Sequence, residues 1–244
     1  MQLTVEDENG EDVTFSCADS LASRMTSRAI LEGMTYPALP FVEPVRIAMD
    51  IGANCGAMSV VLARRHPDAV IHAFEPGHEA LGLLEANVGS LPNVVVHPLA
   101  LGDRDGDAAL HVRVDDLGQS TLLDPVDAAS YEVQSASVRH AGRWAAEAGI
   151  TEVDVLKIDV EGLEVEVLRA LAPLLPRVKV LYLEYEGRRS RRAIEDLLAP
   201  THDLYWATVL MLDQGECTYV RSDLADHPEA TPRLREVFGR WLGG

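Results

Sequence analysis

The sequence has little cysteine and no long apolar run. Its 244 residues include three cysteines, Cys17, Cys55 and Cys217, which are too few and too scattered for a disulfide framework or a zinc site. No run reaches the roughly 18 apolar residues that a transmembrane helix needs. Residues 1–8 lack the basic start and the apolar core of a signal peptide. We therefore expect a cytoplasmic protein with no membrane partner.

Positive charge is also scarce. The chain has 21 lysines and arginines against 39 aspartates and glutamates, a formal net charge of −18. Such an excess of negative charge repels polyanions and argues against nucleic acid as a partner. Lys157 and Lys179 are the two lysines of the chain. Because Lys157 falls in an apolar, strand-like segment, we expect a carboxylate to pair with it.

Strand-like and helical patterns alternate from residue 45 onward. Strands are predicted at 45–51, 69–75, 93–98, 153–159 and 178–184, with two more between 203 and 221. Helices are predicted at 57–66, 78–89, 163–171 and 191–198. This alternation is typical of an α/β fold in which a mostly parallel, seven-stranded sheet carries helices on both faces and binds ligands at the carboxyl ends of its strands.

Two segments lie outside this alternation. Residues 1–40 predict an N-terminal extension made of a hairpin and a helix, ahead of a cofactor-binding domain at 41–244. Residues 107–138 contain short strand-like pieces and predict a β insertion over the ligand-binding site at the carboxyl ends of the strands. The sequence gives no indication of the oligomeric state.

A glycine turn follows the first strand of the predicted sheet. The strand ends on Asp50 and turns through Gly52 and Gly56 into a helix. Glycine has no Cβ, so a ligand can lie directly against the backbone of such a turn. About 20 residues later the second strand ends on Glu75, the position from which a carboxylate reaches the hydroxyls of a ribose. The two strand ends together predict a nucleotide-type cofactor site.

The details of the turn distinguish between two cofactors. The spacing is G-x-x-x-G, whereas a dinucleotide site has G-x-G-x-x-G. Asp50 would repel a diphosphate, but it can accept hydrogen bonds from an amine or a bridging water. These features favour S-adenosylmethionine. The alternatives are a nicotinamide-dependent oxidoreductase and a cofactor-binding module without catalytic activity.

The ordered motifs of the chain resemble those of FkbM-type methyltransferases over residues 45–186. The motifs are Asp50-Ile51-Gly52-Ala53-Asn54 with Gly56 and Ser59, Ala73-Phe74-Glu75-Pro76, Asn87, Ala100-Leu101-Gly102-Asp103 with Gly106, Ser120, and Lys157-Ile158-Asp159-Val160-Glu161-Gly162. The resemblance implies a Rossmann-like class I methyltransferase fold. It also implies methyl transfer from S-adenosylmethionine to a hydroxyl oxygen of a sugar, a macrolide or another specialised metabolite.

The resemblance and the strand ends together give a set of candidate cofactor-binding residues. We expect a cofactor lined by Asp50, Gly52, Asn54, Gly56, Ser59, Glu75, Pro76, Ala100, Leu101 and Asp103. The turn at 99–103 is expected near the adenine.

Transfer to a hydroxyl requires a destination for its proton. A general base can take the proton, or a divalent metal can lower the pKa of the hydroxyl. Asp159 ends the fourth strand of the predicted sheet and is our candidate base, with Lys157 holding a carboxylate in place. Asp159, Glu161 and Glu184 could instead bind a cation such as Mg²⁺. A purely structural ion pair is the remaining alternative.

Four further residues are candidates on the substrate side. His140 is a second candidate base, because histidine titrates near neutrality and residues 136–144 depart from the family pattern. Ser120 could hydrogen-bond a substrate. Arg188 and Arg189 crowd the start of a predicted helix, where the helix dipole disfavours positive charge. They could anchor an anionic acceptor, or they could belong to a solvated helix face. The sequence does not distinguish an oxygen acceptor from a nitrogen acceptor.

Overall fold

The computed structural model describes residues 1–7, 10–113, 116–227 and 229–230. The chain begins with an antiparallel hairpin of β1 (Gln2–Glu6) and β2 (Asp12–Ser16), followed by helix α1 (Leu21–Leu31). The hydroxyl of Ser20 accepts a hydrogen bond from the Ser23 amide at 3.0 Å and caps the start of α1. The predicted hairpin and helix are therefore present.

The first half of the central domain alternates strand and helix as predicted. Its elements are β3 (Ile47–Ile51), α2 (Ala57–Arg65), β4 (Val70–Phe74), α3 (His78–Val88) and β5 (Val94–His97). The three strands pair in parallel. Their carboxyl ends therefore lie at one edge of the sheet.

The predicted β insertion forms a small sheet of its own. Its strands are β6 (Ala100–Gly102), β7 (Gly106–Arg113) and β8 (Tyr131–His140), in the order β6-β8-β7, and helix α4 (Ala141–Glu147) follows. His111 and Thr121 exchange backbone hydrogen bonds of 2.8 and 2.9 Å, which folds the segment after β7 back onto it. The Thr121 hydroxyl donates to the carbonyl of Glu161 at 2.8 Å and ties the insertion to the central domain.

The second half of the chain completes the central sheet. Its elements are β9 (Val153–Ile158), α5 (Glu164–Ala170), β10 (Val178–Glu186), α6 (Arg188–Leu198), β11 (His202–Met211), β12 (Gln214–Arg221) and α7 (Ser222–Ala225). The strand order is β11-β12-β10-β9-β3-β4-β5, with β12 antiparallel to both of its neighbours. The predicted Rossmann-like fold with a mostly parallel, seven-stranded sheet is confirmed. Helix α6 begins three residues earlier than the predicted helix at 191–198.

Side chains of the central strands alternate between two apolar clusters. Met49, Leu156 and Leu181 pack with α4, α5 and α6 on one face. The preceding residues Ala48 and Val155 pack with α2 on the other face. Helices therefore cover both faces of the sheet. Within the described ranges, no helix combines the length and the apolar character needed to cross a membrane.

The N-terminal residues share a buried cluster with the central domain. Phe15 and Leu31 pack with side chains of α2 and α3. The Asn87 side chain accepts a hydrogen bond from the Ser16 amide and donates to the carbonyls of Ser16 and Cys55, each at 2.7 Å. Packing therefore continues across the predicted boundary at residue 40.

Two histidines lie together on the strands β4 and β5. His72 Nδ1 and His97 Nε2 are 3.0 Å apart, and both rings contact Trp144. Burial lowers the pKa of His72, and burial together with the neighbouring His72 lowers the pKa of His97 to about 4. Neither ring is easily protonated in the folded protein.

We expect this pair to make folding pH-dependent. The unfolded chain binds a proton at each histidine near pH 6.5, whereas folded His97 stays neutral down to about pH 4. Protons therefore favour the unfolded state in this window, and stability present above about pH 6.5 is lost as the pH falls toward 4. Thermal unfolding between pH 4 and pH 7 should show a steeper loss in the wild type than in His97→Phe. The exposed His78 provides a control, and His78→Gln should follow the wild type. Equal slopes for the wild type and His97→Phe would contradict this assignment.

Candidate active site

The glycine turn after β3 lies against the ends of two neighbouring strands. The amides of Gly52 and Ala53 donate to the Phe74 carbonyl at the end of β4, at 3.1 and 2.9 Å. Gly52 has φ +79°, and a Cβ at this position would lie 1.8 Å from the carbonyl oxygen of Asp159. Glycine is therefore required for the turn to pass beside the end of β9.

Gly56 has a packing role in the same turn. It precedes α2 with φ +88°, and a Cβ there would lie 2.5 Å from a methyl group of Leu84. Gly56 does not line either of the cavities described below. The expected contact between Gly56 and the cofactor is therefore not supported.

Glu75 lies at the carboxyl end of β4 with 8% exposure. One carboxylate oxygen accepts from the Asn54 amide at 2.8 Å, and the other accepts from the Gly77 amide at 2.7 Å. Burial raises the pKa of Glu75 to about 7, although these two hydrogen bonds favour the charged form. The structure thus holds this carboxylate in a fixed orientation beside the glycine turn.

Lys157 connects the glycine turn with the end of β9. Its ammonium is 3.3 Å from Asp50 Oδ1 and 3.4 Å from Asp159 Oδ2, and it donates to the Gly52 carbonyl. Burial alone would lower the pKa of Lys157, but the carboxylates of Asp159 and Asp50 raise it above its usual value. Lys157 is therefore a charged residue with the carboxylate partners that the sequence predicted.

Asp50 and Ser59 lie beneath the turn. Asp50 is completely buried, and its Oδ2 accepts a hydrogen bond from the Ser59 hydroxyl at 2.7 Å. Neither residue lines either cavity, so the described contacts do not support the expected direct contacts with a cofactor. Their side chains instead support the turn from below.

Two adjoining cavities open at this edge of the sheet. The first cavity has apolar walls of Ile51, Phe74 and Leu101 and includes Glu75. The second cavity lies between α1, the glycine turn and the ends of β10 and β12. Both are lined by Gly52, Asn54, Gly118, Asp159 and Glu161. These shared residues mark where the two cavities meet.

Carboxylates are concentrated on the wall of the second cavity. Asp159 follows β9, Glu184 lies in β10, and Glu216 of β12 is paired in register with Glu184. Asp159, Glu161 and Glu184 each offer an oxygen within 4.8 Å of the others. Burial and the charge of Asp159 raise the pKa of Glu161 and of Glu184, and they raise that of Glu216 to about 7.

Several hydrogen bonds hold the loop that carries Asp159 and Glu161 in place. Glu161 has φ +54°, a conformation that side-chain-bearing residues rarely adopt. Its carbonyl accepts the hydrogen bond from Thr121, and the Glu164 carboxylate accepts from the amides of Val160 and Gly162 at 3.2 and 3.0 Å. The surrounding contacts therefore maintain an unfavourable backbone conformation at the point where the cavities meet.

The remaining predicted residues divide between the site and other parts of the fold. Asn54, Pro76, Ala100, Leu101 and Ser120 line the first cavity as expected.

Four other predicted residues line neither cavity. Asp103 is exposed and lines neither cavity, so the structure gives no support for its expected contact with the cofactor. His140 is not at the site either, because its Nδ1 accepts from the Arg143 amide at 3.3 Å and caps α4. Arg188 and Arg189 are exposed at the start of α6, and the described contacts give no support for an anchor at these arginines.

Glu216 and Tyr36 are among the residues of the second cavity that were not predicted. Glu216 reaches it through antiparallel pairing with β10, and Tyr36 reaches it from the segment after α1. The sequence offers no local signal for either contact, because both depend on which distant segments pack together.

Comparisons with known proteins agree with this architecture. The chain is 28% identical over 181 residues to the 2-O-methyltransferase NoeI of Sinorhizobium fredii, covering 66% of this chain and 74% of that protein. It is 29% identical over 155 residues to Methyltransferase 1 of Beauveria bassiana, covering 56% and 62%. The solved structure of the Escherichia coli protein yhhF shares the fold, with a TM-score of 0.52, 14% identity, and coverage of 91% and 98%.

A match to a known domain family spans the glycine turn, Glu75, the insertion and the acidic sheet edge. The family is the methyltransferase FkbM domain, and the match covers residues 50–220. The chain therefore belongs to the FkbM methyltransferase family.

Proposed function

We propose that this protein transfers a methyl group from S-adenosylmethionine to a hydroxyl oxygen of a small molecule. The observation that carries the proposal is the pair of adjoining cavities, one suited to a nucleoside and one acidic, which share Asp159. Membership of the FkbM family supports methyl transfer and weighs against a nicotinamide-dependent oxidoreductase.

The first cavity fits the nucleoside part of the cofactor. S-adenosylmethionine would supply a methyl group that is already activated by a positively charged sulfur. The apolar walls of Ile51, Phe74 and Leu101 suit a purine, and the Glu75 carboxylate at the strand end can accept hydrogen bonds from ribose hydroxyls. Gly52 leaves the backbone of the turn open to the ligand.

Asp159 is suited to accept the proton of the acceptor hydroxyl. Its side chain is 27% exposed and lines both cavities, so it can contact groups on either side of their junction. The Lys157 ammonium orients the carboxylate from the buried side. Because the pKa of Lys157 is raised, this residue serves as a positioning group and does not act as a base.

A metal-assisted version is the second candidate mechanism. Asp159, Glu161 and Glu184 offer three oxygen ligands close together, the type of donor that Mg²⁺ prefers. A cation at these residues would lower the pKa of the acceptor hydroxyl, so that water could take its proton in place of a side-chain base.

Two observations bear on the chemistry of the methyl acceptor. The relative NoeI is named a 2-O-methyltransferase, which favours oxygen over nitrogen as the methylated atom. Carboxylates around the second cavity favour an uncharged or positively charged small molecule, since a negative charge would be repelled.

Replacement of Glu75 tests the cofactor assignment. Glu75→Gln should weaken S-adenosylmethionine binding by about 1.5–3 kcal/mol, the value of a hydrogen bond to a charged group together with the loss of its partner. Wild-type affinity should also fall as the pH drops below about 7, because protonated Glu75 accepts fewer hydrogen bonds. Isothermal titration calorimetry measures both effects.

Asp154 provides the matched control for this experiment. Its buried carboxylate likewise accepts from two amides, those of Arg46 and Ile47, at the opposite end of the strands. Asp154→Asn should lower stability and leave cofactor affinity unchanged. An unchanged dissociation constant in folded Glu75→Gln would remove Glu75 from the cofactor site.

Replacement of Asp159 tests proton removal. Asp159→Asn should reduce turnover by about 10²-fold or more while cofactor affinity stays nearly constant, as expected when a base or a metal ligand is lost. Turnover is measured as transfer of a labelled methyl group to methyl glucoside, glucosamine and glucose 6-phosphate. Full activity of the folded variant would contradict both mechanisms.

Chelation then separates the two mechanisms. Activity that survives exhaustive treatment with EDTA and does not rise with added magnesium supports Asp159 as the base. Activity that is lost with EDTA and restored by magnesium supports the metal version.

A further inference from the structure

Part of the wall of the second cavity comes from the N-terminal segment. Ser23 and Thr26 of α1, together with Thr35 and Tyr36 of the segment that follows it, line this cavity. These residues lie outside the 50–220 region that matches the FkbM domain. A part of the cavity wall that is rich in hydroxyl groups is thus contributed by a segment outside the matched domain.

Packing fixes the ring of Tyr36 over the central strands. Its centroid lies 5.3 Å from that of Tyr182 in β10, at an interplanar angle of 57°. The Tyr182 hydroxyl donates to the carbonyl of Pro37 at 2.6 Å, which holds the neighbouring backbone. Tyr182 is paired in register with Lys157. Tyr36 therefore lies beside the row of side chains that positions Asp159.

The Tyr36 hydroxyl has no hydrogen-bond partner within the described ranges of the chain, although the residue is only 5% exposed. Burial and the charges of Asp159, Glu216 and Glu184 raise the pKa of Tyr36 well above its usual value. The phenol therefore stays protonated and can donate a hydrogen bond. Because Tyr36 lines the second cavity, its hydroxyl is free to donate to an acceptor atom of a ligand bound there.

We propose that the N-terminal segment forms the acceptor subsite and that the Tyr36 hydroxyl hydrogen-bonds the methyl acceptor next to Asp159. This inference rests on the proposed methyltransferase function. The hydroxyls of Ser23 and Thr26 together with the carboxylates of the same cavity favour a polyhydroxylated acceptor without negative charge.

Removal of one hydroxyl tests the proposal. In Tyr36→Phe the KM for the best acceptor among methyl glucoside, glucosamine and glucose 6-phosphate should rise about three- to tenfold, the value of one hydrogen bond. The dissociation constant of S-adenosylhomocysteine should not change, and kcat should change less than KM. Glucose 6-phosphate should be the poorest acceptor of the three.

Tyr205 provides the matched control. Its hydroxyl donates to the Ala230 carbonyl at 2.8 Å, its ring packs on Phe41, and it lines neither cavity. Tyr205→Phe removes the same group and should leave both KM and cofactor affinity unchanged. An unaltered acceptor KM in folded Tyr36→Phe would overturn the proposal. Weaker S-adenosylhomocysteine binding with an unaltered acceptor KM would assign the hydroxyl to the cofactor and overturn it as well.

A binding measurement gives a readout that does not depend on turnover. Saturation-transfer NMR of methyl glucoside on the S-adenosylhomocysteine complex should give a weaker signal for Tyr36→Phe than for Tyr205→Phe, and equal signals would overturn the proposal. A wild type that binds no S-adenosylmethionine would instead contradict the proposed function. The failure of the function and the failure of the subsite can therefore be told apart.

Discussion

The buried ammonium of Lys157 is the interaction on which the site depends. Its side chain is 4% exposed and contacts carboxylates from two neighbouring strand ends, Asp50 and Asp159, together with the carbonyl of Gly52. A lone buried charge costs several kcal/mol, so ammonium and carboxylates are stable only as a group. The shape of the glycine turn and the orientation of Asp159 are therefore coupled through one side chain. This requirement also explains a lysine within the apolar strand of a chain in which all basic residues but Lys157 and Lys179 are arginines.

The register of the sheet arranges the residues of the site in two rows. Asp50, Lys157 and Tyr182 occupy one row across β3, β9 and β10, and they face the same side of the sheet. Two residues further along, Gly52 and Asp159 share that side because side chains alternate along a strand. Asp50 and Tyr182 of the inner row are buried and support the backbone, and Lys157 of the same row also borders the second cavity. The outer row lines both cavities. A shift of one residue along either strand would place these side chains on the opposite face.

Local patterns in the sequence were sufficient to predict where the strands end. They were not sufficient to predict which contacts the residues of the site make. An apolar run that stops at an acid predicted where Glu75 and Asp159 lie, because parallel strands bring their carboxyl ends to one edge. The burial of Asp50 could not be predicted, since it depends on the register between β3 and β9. His140 is a residue of the type that can act as a base, but its local geometry makes it a helix cap. Tyr36 and Glu216 reach the site only through tertiary packing of distant segments, for which a single sequence contains no periodic signal.

The charge balance of the second cavity constrains which acceptors it can admit. Among the described residues that line it, Asp116, Asp159, Glu161, Glu184 and Glu216 face Lys157 as the single cation, and Lys157 is already shared with Asp50. Besides burial, the charge of Asp159 already opposes ionisation of Glu161, Glu184 and Glu216, so a further negative charge on a ligand would meet repulsion in a medium that screens it weakly. Discrimination against anionic molecules would thus arise from repulsion, without a contact dedicated to each rejected compound. The hydroxyl groups on the N-terminal wall would then distinguish among the molecules that remain, because a polar wall left without partners is unfavourable.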